Sequence, residues 1–287
     1  MILPLIIGLT ICLIATVTIA LLNAVAPRLF EIRGSLNERM SIILQVIGIL
    51  LIMVVWWGIC AAGFTTPQIL PSPITVFKVF PELHYQDALI LNLLYSLSLN
   101  SLGYLEAVAI CLPIGFIIGM IPLFREMFNK TIDSTRFIPL TAVTCLFIAW
   151  FGIANNMKVQ FLAFGIIVYL LPVVIQRVNE VPEVYQQTAF TLGASKWQMF
   201  KTAFFPYVLG RIVQDIRVLV AISWTYIIIA EMLNNTGGIG GIIYVAGIRQ
   251  GRTDKIFALL FVIVVIGFCQ DKIFQWLDKV VNPSKYA

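Results

Sequence analysis

The sequence predicts an all-α integral membrane protein of about seven transmembrane helices. Three observations carry that expectation. Hydrophobic residues make up 60% of the chain and charged ones 11%, where a soluble domain has about a quarter of its residues charged. The mean hydropathy is +0.96, and apolar runs near the roughly 20 residues needed to cross a bilayer recur between short polar stretches. One polar stretch, Val181–Pro206, instead carries the pattern of a surface helix pair.

Taken in order, Leu3–Leu22 is a first span. Ala24-Val25-Ala26 resembles a cleavage site, but no Lys or Arg precedes the run and Pro27 follows, so a retained helix is expected. Arg28–Arg39 is polar, and Ile42–Ala62 is a second span ending in Trp56-Trp57, since aromatics collect at membrane interfaces. Thr65–Leu93 holds Leu70-Pro71-Ser72-Pro73, whose prolines exclude a straight spanning helix, while Ile74–Leu83 suits a short surface helix. Leu97–Ile121 is a third span, with Glu106, Pro113 and the Gly115-x-x-x-Gly119 spacing that lets helices pack closely. Ile138–Phe151 is short for a fourth. Val159–Ile175, Tyr207–Met232 and Ile256–Trp276 complete the set, with a Gly-rich loop, Asn234–Arg252, before the last.

Within Val181–Pro206, the residues Val181, Val184, Tyr185, Thr188, Ala189 and Leu192 fall at helical spacing on one face. Pro182 suits a first turn, and Gly193 stands where a helix end wants the left-handed conformation. Ser195 and Gln198 read as a capping box opening a second helix, with Trp197, Phe200 and Phe204 on one side and a stop before Pro206. A helix–Gly–helix too polar to span lipid, with apolar faces, is a candidate docking surface, the alternative being an interfacial loop helix with no partner.

Several functions are excluded. No GxxxxGK[ST] occurs, so the chain has no P-loop for ATP. There is no Ser–His–Asp grouping, no HExxH and no metal-ligand spacing; His84 is the sole histidine, and Cys12, Cys60, Cys111, Cys145 and Cys269 all lie in apolar runs. The chain is thus expected to be no enzyme and to bind no cofactor. Its net charge of +5 is scattered without a basic stripe, which argues against nucleic acid. Placing Val181–Pro206 in the cytoplasm gathers Arg28, Arg33, Arg39, Arg125, Lys130, Arg136, Arg177, Lys196, Lys201, Arg211, Lys272, Lys279 and Lys285 there and leaves Lys78, Lys158, Arg249, Arg252 and Lys255 outside. That obeys the positive-inside rule, with the N-terminus outside and the C-terminus cytoplasmic.

Ionisable residues inside spans ask for a function. Arg217 suits either a pair with an acidic neighbour or attraction of an anion, and Glu231, beside the Gly-rich loop, a gate or loop anchor. Glu106, Ser223 and Trp224 are further candidates for the substrate path. Arg249, Arg252 and Lys255 suit either docking of an acidic partner or a solvated loop.

The combination resembles the permease subunits of ABC importers, of the nitrate/sulfonate/taurine type. Their signature is Glu-Ala-Ala, a Gly four residues after the second Ala, and a later Leu-Pro; here these read Gln187-Thr188-Ala189, Gly193 and Phe205-Pro206. The run Gly193–Phe200, Leu70–Pro73, Trp150–Ile153, Ala230-Glu231-Met232 and Gly237–Gly241 match too, and Asp271 sits where the family often carries an Asp. The resemblance covers roughly Ile42 to the C-terminus. It implies a type I core of six helices (41–287) with an extra N-terminal helix and linker (1–40), in a bacterial inner membrane. It also implies a second permease copy or close paralogue, separate ATP-binding subunits holding ATP and Mg, a solute-binding protein and a small anionic solute of the nitrate, sulfonate/taurine or bicarbonate class, with a thiamine-precursor-like or other small organic solute as an alternative. Residues 181–206 become the coupling helix, engaging the ATPase through Tyr185, Gln187, Ala189, Gly193, Ala194, Ser195, Lys196, Trp197, Phe200 and Pro206. Gln187 replaces the expected acidic residue, so a salt bridge is unavailable there while the amide can still make a hydrogen bond. The competing class is an ion-gradient-driven transporter or channel, which predicts inverted repeats that the sequence lacks.

Overall fold

The computed structural model describes residues 34, 36–233 and 237–283, so the expected span Leu3–Leu22 lies outside the described residues. Among the described residues every regular element is helical. The chain divides into two units, 1–65 and 66–287. The first contains α1 (Glu38–Ala61), strongly apolar along its length and with none of its residues buried. A helix apolar on every face suits lipid on every face.

The second unit opens with two short helices, α2 (Pro73–Lys78) and α3 (Phe80–Tyr85). Ser72 starts α2 by accepting a hydrogen bond from the Thr75 N–H at 3.2 Å, and Pro73 sits in the first turn, where its missing N–H costs nothing. Then come α4 (Leu89–Met120), α5 (Pro122–Ser134) with a tight turn Thr135–Phe137, α6 (Leu140–Phe151) and α7 (Asn155–Asn179). The helix α4 begins at Leu89, well before the expected Leu97. Its first turns carry polar residues on one face, which lowers their hydropathy without breaking the helix.

The core lies along α7, where Phe161, Leu162, Ile166, Leu170, Val174 and Ile175 are 0–1% exposed. Gly103 of α4 faces Leu162, Gly115 faces Val174 and Gly119 faces Val178, a constant offset of 59 residues, so α4 and α7 run parallel. A Cβ on Gly103 would lie 2.9 Å from Leu162 Cδ2, and one on Gly119 2.7 Å from Val178 Cβ. Small residues here let the backbones approach, as the Gly115-x-x-x-Gly119 spacing predicted.

Two parallel spanning helices require a return crossing between them. Only α5 and α6 are available, and they form one broken span bent by 100°. At 1.5 Å per residue, α6 alone covers about 18 Å of a hydrocarbon core about 30 Å thick. With that pair counted as one crossing, the described residues hold six spans.

After α7 come α8 (Glu183–Thr191), α9 (Lys196–Met199), a π-helical turn Phe200–Phe204, and α10 (Phe205–Leu233). The second helix of the polar stretch does not stop before Pro206. Instead Lys196–Leu233 is one 38-residue helical stretch. In the π turn the Phe205 N–H reaches Phe200 C=O, so the hydrogen-bond ladder slips by one residue just before Pro206, which has no N–H to give. The expected Gly-rich loop is also largely helical, as α11 (Ile239–Tyr244) and a π turn Val245–Arg249. Its residues Ile239–Ile242 are buried. The last helix, α12 (Thr253–Val281), runs antiparallel to α10.

Candidate functional site

The Val181–Pro206 stretch is built as two capped helices around Gly193. Pro182 precedes α8 as its cap residue instead of joining the first turn. At the other end Gly193 has φ +72°, its N–H bonding Phe190 C=O and the Ala194 N–H bonding Ala189 C=O, each at 2.9 Å. These two bonds close the last turn of α8 and satisfy its carbonyls. The capping box is formed: Ser195 Oγ accepts from Gln198 N–H at 3.3 Å and Gln198 Oε1 accepts from Ser195 N–H at 2.8 Å.

The apolar face expected along α8 is not laid on the bundle. Val181 is buried at 5% exposure, but Val184 is 67% exposed, Tyr185 51%, Leu192 81% and Trp197 69%. Gln187, Ser195 and Lys196 are exposed as well, while Ala189 and Ala194 are half-buried. The segment is fastened at its ends. Arg177, at the end of α7, pairs with Asp215 of α10 at 2.7 and 2.8 Å and with Glu180 at 2.7 Å, and Tyr207 OH donates to Glu180 C=O at 3.2 Å. The Arg177 guanidinium holds the Glu180 carboxyl below the usual glutamate range. On the other side Trp197 stacks on Phe200 (centroids 5.2 Å), which meets Phe116 of α4 edge-on at 5.2 Å. Next to these rings an apolar groove of about 830 Å³ opens between the end of α4 and α9, with Phe116, Met120, Phe190, Trp197 and Phe205 in its wall.

At the opposite end of the bundle, Glu231 anchors the Gly-rich segment. It is fully buried, held by Ser96 Oγ (2.7 and 2.9 Å) and by the Gly240 N–H (2.9 Å). The Ile239 N–H bonds Ser96 Oγ at 2.9 Å, and the Gly238 N–H bonds Asn92 Oδ1 at 2.7 Å. The unpaired N–H groups that open α11 are thus met by side chains of α4 and α10, and a carboxylate suits a helix N-terminus. Gly238 has φ +91°, and a Cβ there would overlap the Glu231 carboxylate. Glu231 is therefore a loop anchor.

The remaining residues predicted from the sequence are placed differently. Arg217 makes a two-pronged pair with Asp271 of α12, with Nη2–Oδ2 at 2.9 Å, so its charge is matched within the chain. Glu106 accepts from Gln160 Nε2 at 2.9 and 3.0 Å, joining α4 to α7. Ser223 and Trp224 do not line an open path. Successive residues on a helix point in different directions, so Ser223 bonds Asn100 of α4 at 2.9 Å while the Trp224 indole donates to Gln270 of α12 at 2.6 Å. Thr225, on the same turn, is the exposed one. Lys255 is 3% exposed and reaches Asp87 at 2.7 Å and Glu82 at 2.9 Å, so it offers no free charge to a docking partner. Arg252 pairs with Glu82 and Asp254, while Arg249 is exposed beside Tyr244. These pairs tie α3 to the start of α12. Lys255 first and Arg252 second depress the Glu82 carboxyl below its ordinary value.

Sequence reasoning missed the polar face of α4: Asn92, Ser96, Asn100 and Tyr104. Their four-residue spacing inside an apolar run was the signal that marks one helix face.

The fold is a helical bundle of membrane-spanning length, with an exposed apolar segment at one end and a buried Gly-rich half-helix at the other, the architecture of a multi-span membrane protein. The family model "binding-protein-dependent transport system inner membrane component" matches residues 111–283, and the chain belongs to that family. It is 29% identical over 232 residues to the putative aliphatic sulfonates transport permease SsuC of Bacillus subtilis, covering 79% of this chain and 82% of that one. It is 26% identical over 256 residues to the taurine transport permease TauC of Escherichia coli (88% and 92% covered). With the nitrate import permease NrtB of Synechococcus elongatus it shares 28% over 199 residues (67% and 70%). The fold matches the inward-facing MetNI methionine ABC transporter with a TM-score of 0.58 at 16% identity, covering 67% of this chain and 95% of that one. This chain is accordingly an ABC importer permease with a type I core, a multi-pass and non-enzymatic subunit of the inner membrane that works with ATP-binding subunits and a solute-binding protein.

Proposed function

We propose that two copies of this permease, or one copy and a close paralogue, enclose a path for a small oxyanion-bearing solute of the sulfonate, taurine or nitrate class. The relatives' names support that class. The N-terminus lies outside and the C-terminus in the cytoplasm, which puts Arg125, Arg136, Lys196, Lys201 and Lys279 on the cytoplasmic side. ATP and Mg belong to the partner subunits, and this chain binds no cofactor. The permease domain is assigned to 41–287.

The coupling helix at 181–206 seats in a groove of the ATP-binding subunit through Tyr185, Gln187, Trp197 and Lys196, with Gly193–Ser195 shaping it and Phe200 and Pro206 joining it to α10. The observation that carries this is the exposure of Val184, Tyr185, Leu192 and Trp197 on helices whose facing ends are capped at Gly193 and Ser195. With Gln187 in place of an acidic residue, docking rests on shape and apolar contact, while Lys196 and Lys201 set register. Arg249 and the exposed edge of Arg252 face the solute-binding protein. Glu231 keeps the outer loop seated, and Arg217 and Glu106 hold the helices that surround the path.

The test is co-purification with the ATP-binding subunit, then ATP hydrolysis in liposomes with the binding protein and taurine or nitrate. Gly193→Pro and Ala194→Trp are expected to remain in the membrane and to uncouple hydrolysis from uptake. Normal uptake by both variants would overturn the assignment of the coupling segment.

A further inference from the structure

No residue of α8 is buried, so core packing does not set the direction in which that helix points. Its two ends set it. At the far end Trp197 stacks on Phe200, which meets Phe116 of α4. At the near end the fastening converges on Arg177, in the last turn of α7. Arg177 Nε and Nη2 hold the two carboxylate oxygens of Asp215 on α10 at 2.7 and 2.8 Å, and Nη1 donates to Glu180 Oε2 at 2.7 Å. All three guanidinium nitrogens are thus engaged, on two carboxylates from different parts of the chain.

Glu180 is the cap residue that ends α7, and α8 begins three residues later. It is held again by Arg211 Nη1 on Oε2 at 3.3 Å, by Gln176 Nε2 on Oε1 at 3.0 Å, and by Tyr207 OH on its C=O at 3.2 Å. Just beyond, Val181 is buried and Tyr185 of α8 lies against Tyr207, with ring centroids 6.0 Å apart. The helices α7 and α10 are themselves joined. Gly165 receives Tyr226, where a Cβ would lie 2.8 Å from Cδ2, and Arg177 meets Asp215, so α10 runs back along α7.

The cluster is partly buried, with side-chain exposures of 26% for Arg177, 18% for Asp215 and 31% for Glu180. Its two arginines and two carboxylates balance, so it presents no net charge to a partner. What it supplies is an angle. A guanidinium is a rigid planar fork that fixes the carboxylates it bridges, whereas an ammonium holds them as a point charge and leaves their orientation free.

We infer that Arg177 is the positioning residue of the coupling segment: its fork fixes the angle between α10 and the start of α8. A push on residues 183–204 then moves α7 and α10 with the segment instead of turning the segment about its own attachment. This rests on the reading of residues 181–206 as the segment that receives force.

Arg177→Lys keeps the charge and loses the fork, and Asp215→Asn keeps the acceptor's shape and loses its charge. Spin labels on the full chain in nanodiscs read the angle. One pair joins Leu192, 81% exposed after α8, to Val218, 67% exposed on α10; the control pair joins Leu105 on α4 to Val218. In Arg177→Lys the Leu192–Val218 distances are expected to broaden, with the control pair and the thermal midpoint unchanged. In liposomes, with the ATP-binding subunits bound at the parent's stoichiometry and the binding protein and taurine or nitrate supplied, solute imported per ATP hydrolysed should fall about tenfold or more. That is the weight of one hydrogen bond to a charged group. Asp215→Asn is expected to change both readouts in the same direction, and it carries the test if Arg177→Lys does not fold. A merely structural ion pair predicts parent-like distances and coupling in Arg177→Lys, because the charge is kept. Parent-like coupling, an unbroadened Leu192–Val218 pair, or equal broadening of both pairs would each overturn the inference. If Gly193→Pro and Ala194→Trp uncouple while Arg177→Lys does not, this inference alone fails. Normal uptake by those two variants would instead overturn the reading of the segment, and this inference with it.

Discussion

Gly193→Ala isolates the shape of the coupling segment from its chemistry. The residue has φ +72°, and a Cβ built there meets nothing within 4 Å. Alanine therefore adds no clash; it adds only the penalty for an L-residue in the left-handed region, about 1–2 kcal/mol. If that conformation is the one that docks, the docking-competent population falls by about 5- to 30-fold, since 1.4 kcal/mol is a factor of ten. Asparagine tolerates the left-handed region better, so Gly193→Asn falls between glycine and alanine. Gly193→Pro also loses the bond from the Gly193 N–H to Phe190, with φ locked near −65°, and costs about 3 kcal/mol or more. The assay is a titration of ATP-binding subunit against nanodisc-embedded permease, with thermal unfolding as a check on the fold. Docking affinities are expected in the order Gly, Asn, Ala, Pro. Alanine binding within twofold of glycine, or asparagine binding more weakly than alanine, would refute the argument that backbone shape at Gly193 governs docking.

Three further outcomes are expected. Trp197→Ala removes a side chain 69% exposed, so stability should stay within about 0.5 kcal/mol while docking weakens by about 2 kcal/mol, the scale of an aromatic interface anchor; equal affinity in the same titration counts against this face. Arg217→Gln leaves Asp271 without its partner and should lower the thermal midpoint, with Asp271→Asn restoring it in the double variant; if uptake of nitrate or taurine fails in a double variant of normal stability, Arg217 acts on the solute as well. Glu82 has a depressed folded value, so its contribution to stability is present above the ordinary 4.5 and is lost as pH falls through the lower folded value. The midpoint of Glu82→Gln should accordingly lose the part of its pH dependence that lies below pH 4.5, and a curve parallel to the parent's would contradict the ion-pair assignment.

Much of the architecture was legible because lipid imposes it. A chain in hydrocarbon must satisfy its backbone within helices, so the apolar runs marked the spans, and Gly193, Ser195 and Gln198 announced their caps through local chemistry alone. Errors arose where neighbouring helices, not lipid, surround the chain. The Gly-rich stretch reads as a loop because glycine is a poor helix former, yet Glu231, Ser96 and Asn92 hold its N–H groups and make it a half-helix. Pro206 reads as a stop, yet the π turn before it carries the helix through. Lys255 reads as a surface charge, yet it is enclosed by Glu82 and Asp87, which are far away in sequence.

The sequence by itself determined that this is a membrane permease with a capped, amphipathic segment, because hydropathy, capping and motif spacing are local properties of the chain. Only the tertiary structure decided which residues spend their polarity inside the bundle. It took Ser223, Trp224, Arg217 and Lys255 out of the set of free groups, and it revealed the polar face of α4 and the parallel packing of α4 on α7. Hydrogen bonds and ion pairs between helices depend on which faces meet. Which faces meet is set by close approach at Gly103, Gly115 and Gly119, a property of two helices together.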